Sequence, residues 1–278
     1  MFDRLRVACV QLTSGRDKPV NLERAERLVA DAALAGAKLV VLPEKWNLIG
    51  DADELRSGAE TLEQGESVQA MSGWAAQHGI TLVGGSITER REGRQKLSNT
   101  SLVFGPEGEL VALYRKIHLF DVEVDGLVYR ESEAEEPGEE AVVCRAGGWS
   151  LGLSICYDVR FPELYRILAL EGAQIVTVPA HFTERTGRDH WEVLLRARAI
   201  ENQCFVLAAA QVGETRPDRR SYGRSLIADP WGVVLAQAPD EPTVIWADLD
   251  RSRLEEIRRS LPSLASRQPH AYRRSSPA

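Results

Sequence analysis

A polar, reactive side chain follows each of three predicted strands. These residues are Glu44 after Lys38–Leu42, Lys116 after Glu109–Tyr114, and Cys156 after Leu151–Ile155. In α/β sheets, loops and helix N-termini converge beyond the carboxyl ends of the strands, and sites assemble there. We therefore expect Glu44, Lys116 and Cys156 to meet in one site.

Cys156 is the predicted nucleophile. It lies between an apolar strand and the segment 157–162, which leads into a helix. Such a corner can place a side chain in a pocket while the next backbone N–H points at the same spot, as in a nucleophile elbow. A nearby cation or helix N-terminus would lower the pKa of the thiol from about 8.5 towards neutrality. The alternative is a buried inert thiol, which is our interpretation of Cys9, Cys144 and Cys204.

Glu44 and Lys116 have complementary predicted roles. Partial burial would raise the pKa of Glu44 so that it takes the thiol proton as general base; the alternative is a strand-end carboxylate facing water. The Lys116 ammonium would stabilise the thiolate and then, with the Tyr157 backbone N–H, the oxyanion of a tetrahedral intermediate. A Cys–His pair with His118 is a weaker alternative, because His118 points the same way as Lys116 only if the strand geometry persists.

The elements that must position these residues alternate between strand and helix. The first unit is a strand at 5–11, a one-sided helical pattern from Leu22 to Ala33, a stop at Gly36 and a strand at 37–42. Further strands are predicted at 80–86, 99–104, 109–114, 151–155, 175–178, 205–211, 225–228, 232–236 and 244–249, and further helices at 65–78, 162–172, 191–203 and 251–261. This predicts an α/β fold. Because no internal repeat or linker occurs, we expect a single domain over 1–278.

Composition excludes several classes of protein. Hydrophobic residues make up 44% of the 278 residues and the net charge is 34 − 41 = −7, which does not favour a nucleic-acid partner. No run approaches ~20 uninterrupted apolar residues and no signal-peptide pattern occurs, so we expect neither export nor a membrane span. The four cysteines are far apart, without a CxxC pair or a histidine in ligand spacing. This predicts a cytoplasmic protein with free thiols and no zinc site.

The absence of several known catalytic motifs argues against further classes of enzyme. The chain has no Gly-rich phosphate loop, no GxSxG and no HExxH motif, which argues against nucleotide-dependent enzymes, serine hydrolases and zinc proteases. A thiol mechanism of the predicted kind needs neither a metal nor an organic cofactor.

Three segments of the chain resemble the nitrilase superfamily of carbon–nitrogen hydrolases. They are 42–44 (LPE), 114–121 (YRKIHLFD) and 155–163 (ICYDVRFPE). The resemblance extends nearly end to end and implies that Glu44, Lys116 and Cys156 form a catalytic triad in a four-layer α-β-β-α sandwich. Within the superfamily, 190–201, 208–211 and 221–225 are similar to the branch that contains ω-amidase and deaminated glutathione amidase.

The resemblance also implies an accessory glutamate, and the chain departs from the family pattern at two places. The family carries this glutamate in a Glu-Ser…Pro-Gly setting, which 131–132 and 137–138 match. Glu131 is therefore expected to enter the site, while 133–140 stay on the surface. Lys45, directly after the base, is unusual and would either alter the pKa of Glu44 or point away. The segment 125–129 differs in length and lacks the usual proline before Gly126.

The resemblance implies amide hydrolysis through a cysteine thioester, with Glu131 positioning Lys116 or the attacking water. The expected substrate is a small amide that bears a carboxylate, such as an ω-amide of an α-keto acid or deaminated glutathione. Arg160 would bind that carboxylate in a bidentate fork or form a structural salt bridge with Asp158 or Glu163. Phe182 and Thr186 would line the pocket.

Other interpretations stay open at this point. Hydrolysis of N-carbamoyl compounds or nitriles would use the same triad, and a non-catalytic interaction protein could carry a vestigial one. Family members commonly pair, so the resemblance implies a homodimer or higher homo-oligomer. The expected contacts are 166–171 and the tail after about residue 262.

Overall fold

The structure, a computed structural model, describes residues 4–124, 126–217 and 219–272. Part of the unusual segment 125–129, namely Asp125, lies outside the described residues, as does 273–278 at the end of the tail.

Strands outnumber helices along the described ranges. The strands are β1 Arg4–Gln11, β2 Leu39–Val41, β3 Thr81–Val83, β4 Ile87–Glu89, β5 Ser98–Phe104, β6 Leu110–Arg115, β7 Asp121–Val124, β8 Leu127–Arg130, β9 Val143–Ala146, β10 Trp149–Leu153, β11 Ile175–Thr177, β12 Phe205–Ala208, β13 Val212–Arg216, β14 Arg219–Tyr222, β15 Leu226–Ala228, β16 Val234–Gln237 and β17 Thr243–Asp250. The α-helices are α1 Lys18–Leu34, α2 Ala52–Gly58, α3 Glu66–His78, α4 Pro162–Leu170, α5 Glu184–Asn202 and α6 Arg251–Ser260. Short 3-10 turns occur at Glu131–Glu133, Cys156–Arg160 and Pro269–Tyr272.

Two larger sheets carry the fold. In the first, the strand order is β17-β1-β2-β3-β5-β4, with β6 paired to β5; in the second it is β16-β15-β12-β11-β10-β9. The central strands β1, β2 and β3 are parallel, as are β10, β11 and β12. Two separate hairpins, β7–β8 and β13–β14, complete the described strands.

The two sheets face each other, and helices cover their outer faces. Along β1, Val7 and Cys9 enter the core shared by both sheets, whereas Ala8 and Val10 enter the core under α1 and α3. This alternation follows from the two-residue period of a strand, and burial on both faces explains the continuous apolar sequence. Helices α4 and α5 pack on the other sheet. The layers are α-β-β-α, which confirms the predicted fold class.

The predicted helix at 191–203 begins seven residues earlier, at Glu184. Its first turns lack apolar periodicity, so the pattern gave no signal there. Gly187 lies in this part, where an added Cβ would be 2.3 Å from the Cβ of Tyr222 on β14. The glycine therefore lets α5 pass closely over the β13–β14 hairpin.

Sequence interpretation also missed several short elements, namely α2, β4, β9 and the hairpins β7–β8 and β13–β14. Of these, α2 and the β7–β8 hairpin are mostly half-exposed or exposed and have no continuous apolar face. Within the described ranges, no helix is long and apolar enough to cross a membrane.

Candidate active site

The three predicted catalytic side chains lie just beyond three strand ends. Glu44 is three residues past β2, Lys116 directly follows β6, and Cys156 is three residues past β10. All three are buried, with 2%, 1% and 7% of their surface exposed, respectively. They line one common cavity. The structure therefore brings together the residues that the sequence places at separate strand ends.

Cys156 lies on a strained corner of the backbone. Its φ of 48° is in the left-handed region, which a residue with a Cβ rarely adopts. Its backbone N–H donates to the carbonyl of Pro179 at 2.9 Å, and a 3-10 turn then leads into α4. Such backbone strain persists only where the surroundings hold it, and it is common at functional sites. The geometry is that of the strand-to-helix corner expected for a nucleophile.

A buried carboxylate, Asp158, holds this corner. It accepts hydrogen bonds from the Ile155 N–H at 2.8 Å and from the Tyr114 hydroxyl at 2.7 Å. Its other oxygen lies 2.7 Å from Nδ1 of His118, whose ring stacks on Phe161 at 3.6 Å. His118 is thus committed to Asp158 and is absent from the described residues that line the cavity. The arrangement does not support a Cys–His pair.

Glu44 is held by hydrogen bonds to both of its oxygens. Oε1 accepts from Lys116 Nζ at 2.9 Å and from Asn99 Nδ2 at 2.8 Å, and Oε2 accepts from the backbone N–H of His181 at 2.8 Å. Sequence reasoning missed the contacts that Asn99 and the His181 backbone make with Glu44. For Asn99 a signal was present, since it lies in the polar run 98–101 of a fully buried strand.

The pKa of Glu44 is lowered, whereas the sequence predicted that burial would raise it. Burial alone would raise the pKa of Glu44, but the ammonium groups of Lys116 and Lys45 outweigh it and lower that pKa to about 2. Burial would also lower the pKa of Lys116, yet the carboxylates of Glu131 and Glu44 raise it well above its ordinary value. The prediction that burial raises the pKa of Glu44 is therefore wrong.

The expected low thiol pKa is also wrong. Burial and the charge of Glu44 raise the pKa of Cys156 well above its ordinary value, although the Lys116 ammonium acts in the opposite direction. The resting site consequently holds a carboxylate, an ammonium and a neutral thiol. The thiol therefore needs a base to take its proton when it reacts.

Glu131 lies beside Lys116, as the resemblance implies. It accepts from Lys116 Nζ at 2.8 Å and from the backbone N–H of Phe120 at 2.8 Å. Glu135 is also drawn inward, with 1% of its side chain exposed and Oε1 lying 2.6 Å from Lys45 Nζ. The expectation that all of 133–140 is surface is wrong at Ala134 and Glu135, which are both buried. Lys45 and a backbone bridge to Leu97 hold Glu135 inside.

The cavity has a volume of about 400 Å³ and combines a buried polar floor with aromatic walls. That size suits a small-molecule ligand. Its lining includes Phe120, Tyr129, Tyr157, Phe182 and Thr186. Phe182 and Thr186 therefore lie where they were predicted, and Tyr157 follows the nucleophile directly.

Arg160 does not line this cavity among the described residues. Its guanidinium lies 5.0 Å from the Phe182 ring centroid and 5.9 Å from that of Tyr157, and Nη1 is 3.2 Å from Nδ1 of His190. Other arginines line the cavity instead, and sequence reasoning missed them. They are Arg130, Arg216, Arg219 and Arg220.

The remaining cysteines lie away from the site. Cys9 and Cys204 are fully buried, and burial raises the pKa of Cys204 to about 12 and that of Cys144 to about 11. All four thiols are free. In the part of the chain that the structure describes, no group of three potential metal ligands lies close enough to hold an ion.

The chain is similar to known proteins over nearly its whole length. The chain is 40% identical over 272 residues to omega-amidase NIT2 of Danio rerio, covering 98% of this chain and 97% of the relative. It is 41% identical to deaminated glutathione amidase of Synechocystis sp., over 94% of this chain and 97% of that protein. The crystal structure of Saccharomyces cerevisiae Nit3, a member of branch 10 of the nitrilase superfamily, superposes with a TM-score of 0.87 at 35% identity and covers 96% of each chain.

A family match completes these comparisons. Residues 6–259 match the carbon–nitrogen hydrolase family. The predicted superfamily and enzyme class are confirmed, and the chain belongs to the carbon–nitrogen hydrolase family.

Proposed function

We propose that this protein is an amidase that hydrolyses a small, carboxylate-bearing amide through a thioester on Cys156. One observation carries the proposal. Lys116 donates at once to Glu44 at 2.9 Å and to Glu131 at 2.8 Å, in a cavity that Cys156 also lines. A nucleophile, a base and a fixed cation are thereby available to one bound carbonyl.

Acylation begins with proton transfer. As the sulfur of Cys156 attacks the amide carbonyl, Glu44 takes the thiol proton. The Lys116 ammonium and the Tyr157 backbone N–H stabilise the oxyanion that forms. When the C–N bond breaks, Glu44 returns the proton to the leaving nitrogen, so that ammonia or an amine departs and a thioester remains.

Deacylation uses the same groups in reverse. Glu44 takes a proton from water as the water oxygen attacks the thioester carbonyl. The C–S bond then breaks, the carboxylic acid leaves, and the sulfur of Cys156 recovers the proton from Glu44. Glu131 does not exchange a proton in this scheme. It accepts hydrogen bonds from the Phe120 N–H and from Lys116, and it thereby positions the Lys116 ammonium.

The substrate class rests on chemistry and on relatives. Two relatives, at 40% and 41% identity, are named omega-amidase and deaminated glutathione amidase. We propose a substrate of this kind, an ω-amide of an α-keto acid or deaminated glutathione. Phe182 and Thr186 are proposed to contact it from the cavity wall.

The test measures ammonia or amine release from both amides with the wild type and with Cys156→Ala. We expect turnover by the wild type, none by the variant, and a thioester mass on Cys156 after rapid acid quench. A wild type that turns over no carboxylated amide would contradict the substrate proposal. Release of carbon dioxide from N-carbamoyl compounds, or loss of a nitrile, would instead indicate a different reaction at the same triad.

We further propose that the protein is a homodimer or larger homo-oligomer. Apolar side chains remain exposed on two neighbouring helices, namely Ile167 and Leu170 on α4 with Val193 and Ile200 on α5. Exposed apolar patches commonly mark protein contacts. Light scattering should give at least twice the chain mass of 30.8 kDa, and a value equal to one chain would refute this.

A single domain over 1–278 in the cytoplasm completes the proposal. The family match over 6–259 and the core shared by both sheets support one domain. Four free thiols are compatible with a reducing compartment.

A further inference from the structure

Two arginines face each other across the β13–β14 hairpin. Arg216 and Arg219 are cross-strand partners in its register, and both line the cavity that holds Cys156. Like charges directly opposite on a pair of strands are destabilising. An anion held between the two guanidinium groups would reverse that effect.

Neutral groups hold both side chains in place. Arg216 Nη1 donates to the carbonyl of Gly50 at 3.0 Å, and the Arg219 guanidinium lies 4.4 Å from the Tyr129 ring centroid. Neither of these two contacts involves a carboxylate, and both restrict the guanidinium groups; a pre-ordered fork loses less entropy on binding. Their neighbour Arg220 differs, since its Nε is 3.3 Å from Glu184.

Arg216 and Arg219 are less buried than the proposed catalytic residues. Glu44, Lys116 and Cys156 are buried, whereas Arg216 and Arg219 are half-buried. The triad therefore lies on the floor of the cavity and the arginine pair nearer its mouth.

The charges of the floor orient a substrate. Three carboxylates, those of buried Glu44 and Glu135 and of half-buried Glu131, lie at the floor or beside it against two ammonium groups, those of Lys45 and Lys116. This balance disfavours a further carboxylate at the floor. A substrate with one amide end and one anionic end would thus enter amide first.

We propose that Arg216 and Arg219 form a carboxylate subsite at the mouth of the cavity, which binds the anionic end of the amide whose carbonyl meets Cys156. This inference rests on the proposed amidase function and assigns recognition to the hairpin rather than to Arg160. Guanidinium groups suit this task because they bind a carboxylate through paired, charge-assisted hydrogen bonds.

The experiment compares two amides of equal chain length, succinamate with a carboxylate and butyramide without one. The variants are Arg216→Gln, Arg219→Gln and their double. Each single variant should lower kcat/KM for succinamate relative to butyramide by about tenfold or more, a change of at least about 1.4 kcal/mol, because a charge-assisted hydrogen bond to the carboxylate is lost. The loss should appear mainly as a higher KM, and the double Lys variant, Arg216→Lys with Arg219→Lys, should retain part of the preference.

Arg188→Gln is the matched control, since Arg188 is exposed on the adjacent helix α5 and does not line the cavity. Arg160→Gln is measured beside it. A double Gln variant whose succinamate preference stays within twofold of the wild type overturns the proposal. So does a larger loss of preference in Arg160→Gln than in the double variant.

Butyrate binding tests the subsite separately from the amidase proposal, because butyrate carries one carboxylate and no amide. Calorimetric titration of butyrate into the wild type and the folded double variant tests the subsite without turnover. If the wild type hydrolyses neither amide but binds butyrate at least tenfold more tightly than the double variant, the subsite stands and the amidase proposal fails. Equal butyrate affinities would refute the subsite.

Discussion

The ammonium of Lys45 lies 2.6 Å from Oε1 of Glu135, inside the protein and beside the proposed catalytic residues. The same ammonium is 3.9 Å from Glu131. Glu131 in turn accepts a hydrogen bond from Lys116, and Lys116 also donates to Glu44. Five charges of alternating sign therefore form a buried row. Lys45 lies outside the proposed triad, yet its charge helps to lower the pKa of the Glu44 carboxyl.

The first prediction concerns the stability of this ion pair. Lys45→Met should lower the free energy of unfolding by about 3 kcal/mol or more, because it leaves the carboxyl of Glu135 buried without its partner. The double variant Lys45→Met with Glu135→Gln should recover most of that loss, since it removes both charges of the pair together. Urea unfolding monitored by circular dichroism measures both.

Arg56→Met is the control for this prediction. Arg56 pairs with Asp53 on the surface, where their side chains are 51% and 93% exposed. Loss of such a pair should cost less than about 1 kcal/mol. If Lys45→Met costs no more than Arg56→Met, the buried pair does not stabilise the fold.

The second prediction concerns stability in acid. The pKa of Glu44 is about 2 in the folded protein, below its ordinary value of 4.5. The native state thus binds fewer protons between these values, and stability present above pH 4.5 is lost as the pH falls towards 2. Glu44→Gln should unfold with a weaker pH dependence in this window, as measured by urea unfolding at several pH values. Glu26→Gln, on the exposed face of α1, controls for the loss of one carboxyl; an equal effect of both variants would count against the idea.

The third prediction concerns the protonation of the nucleophile. Because the charge of Glu44 raises the pKa of Cys156 and that of Lys116 opposes it, alkylation by iodoacetamide at pH 7.5 should be faster in Glu44→Gln and slower in Lys116→Met than in the wild type. Intact mass spectrometry gives the rates. Cys156→Ala corrects for labelling of the other thiols. Slower alkylation of Glu44→Gln would show that the carboxylate does not hold the proton on sulfur.

The fourth prediction compares two helical glycines. At Gly187 an added Cβ would lie 2.3 Å from Tyr222, so Gly187→Ala should destabilise the protein and displace the β13–β14 hairpin. At Gly73, in α3, nothing lies within 4 Å, and Gly73→Ala should stabilise by roughly 0.5–1 kcal/mol. Thermal unfolding measures both, and equal shifts would contradict the close approach of α5 to the hairpin.

Local patterns determined which residues could react. Apolar runs end just before Glu44, Lys116 and Cys156, at the position where sites commonly form in α/β sheets. Because β2 and β6 belong to one sheet and β10 to the other, the packing of the two sheets brings the three side chains together. Strand and helix periods likewise specified most elements of the two sheets. The short half-exposed hairpins and the polar start of α5 were missed because they carry no such period.

Only the tertiary structure decided the electrostatics and the shape of the site. The burial of Glu135 depends on Lys45, which is distant in sequence, and the facing of Arg216 and Arg219 depends on a hairpin register. The shift of a pKa results from the balance of burial against several charges at short distances. The directions of the pKa shifts at Glu44 and Cys156 could therefore not be derived from neighbours in sequence. Position along a strand is a local property, whereas distance between charges is set by how the whole chain folds.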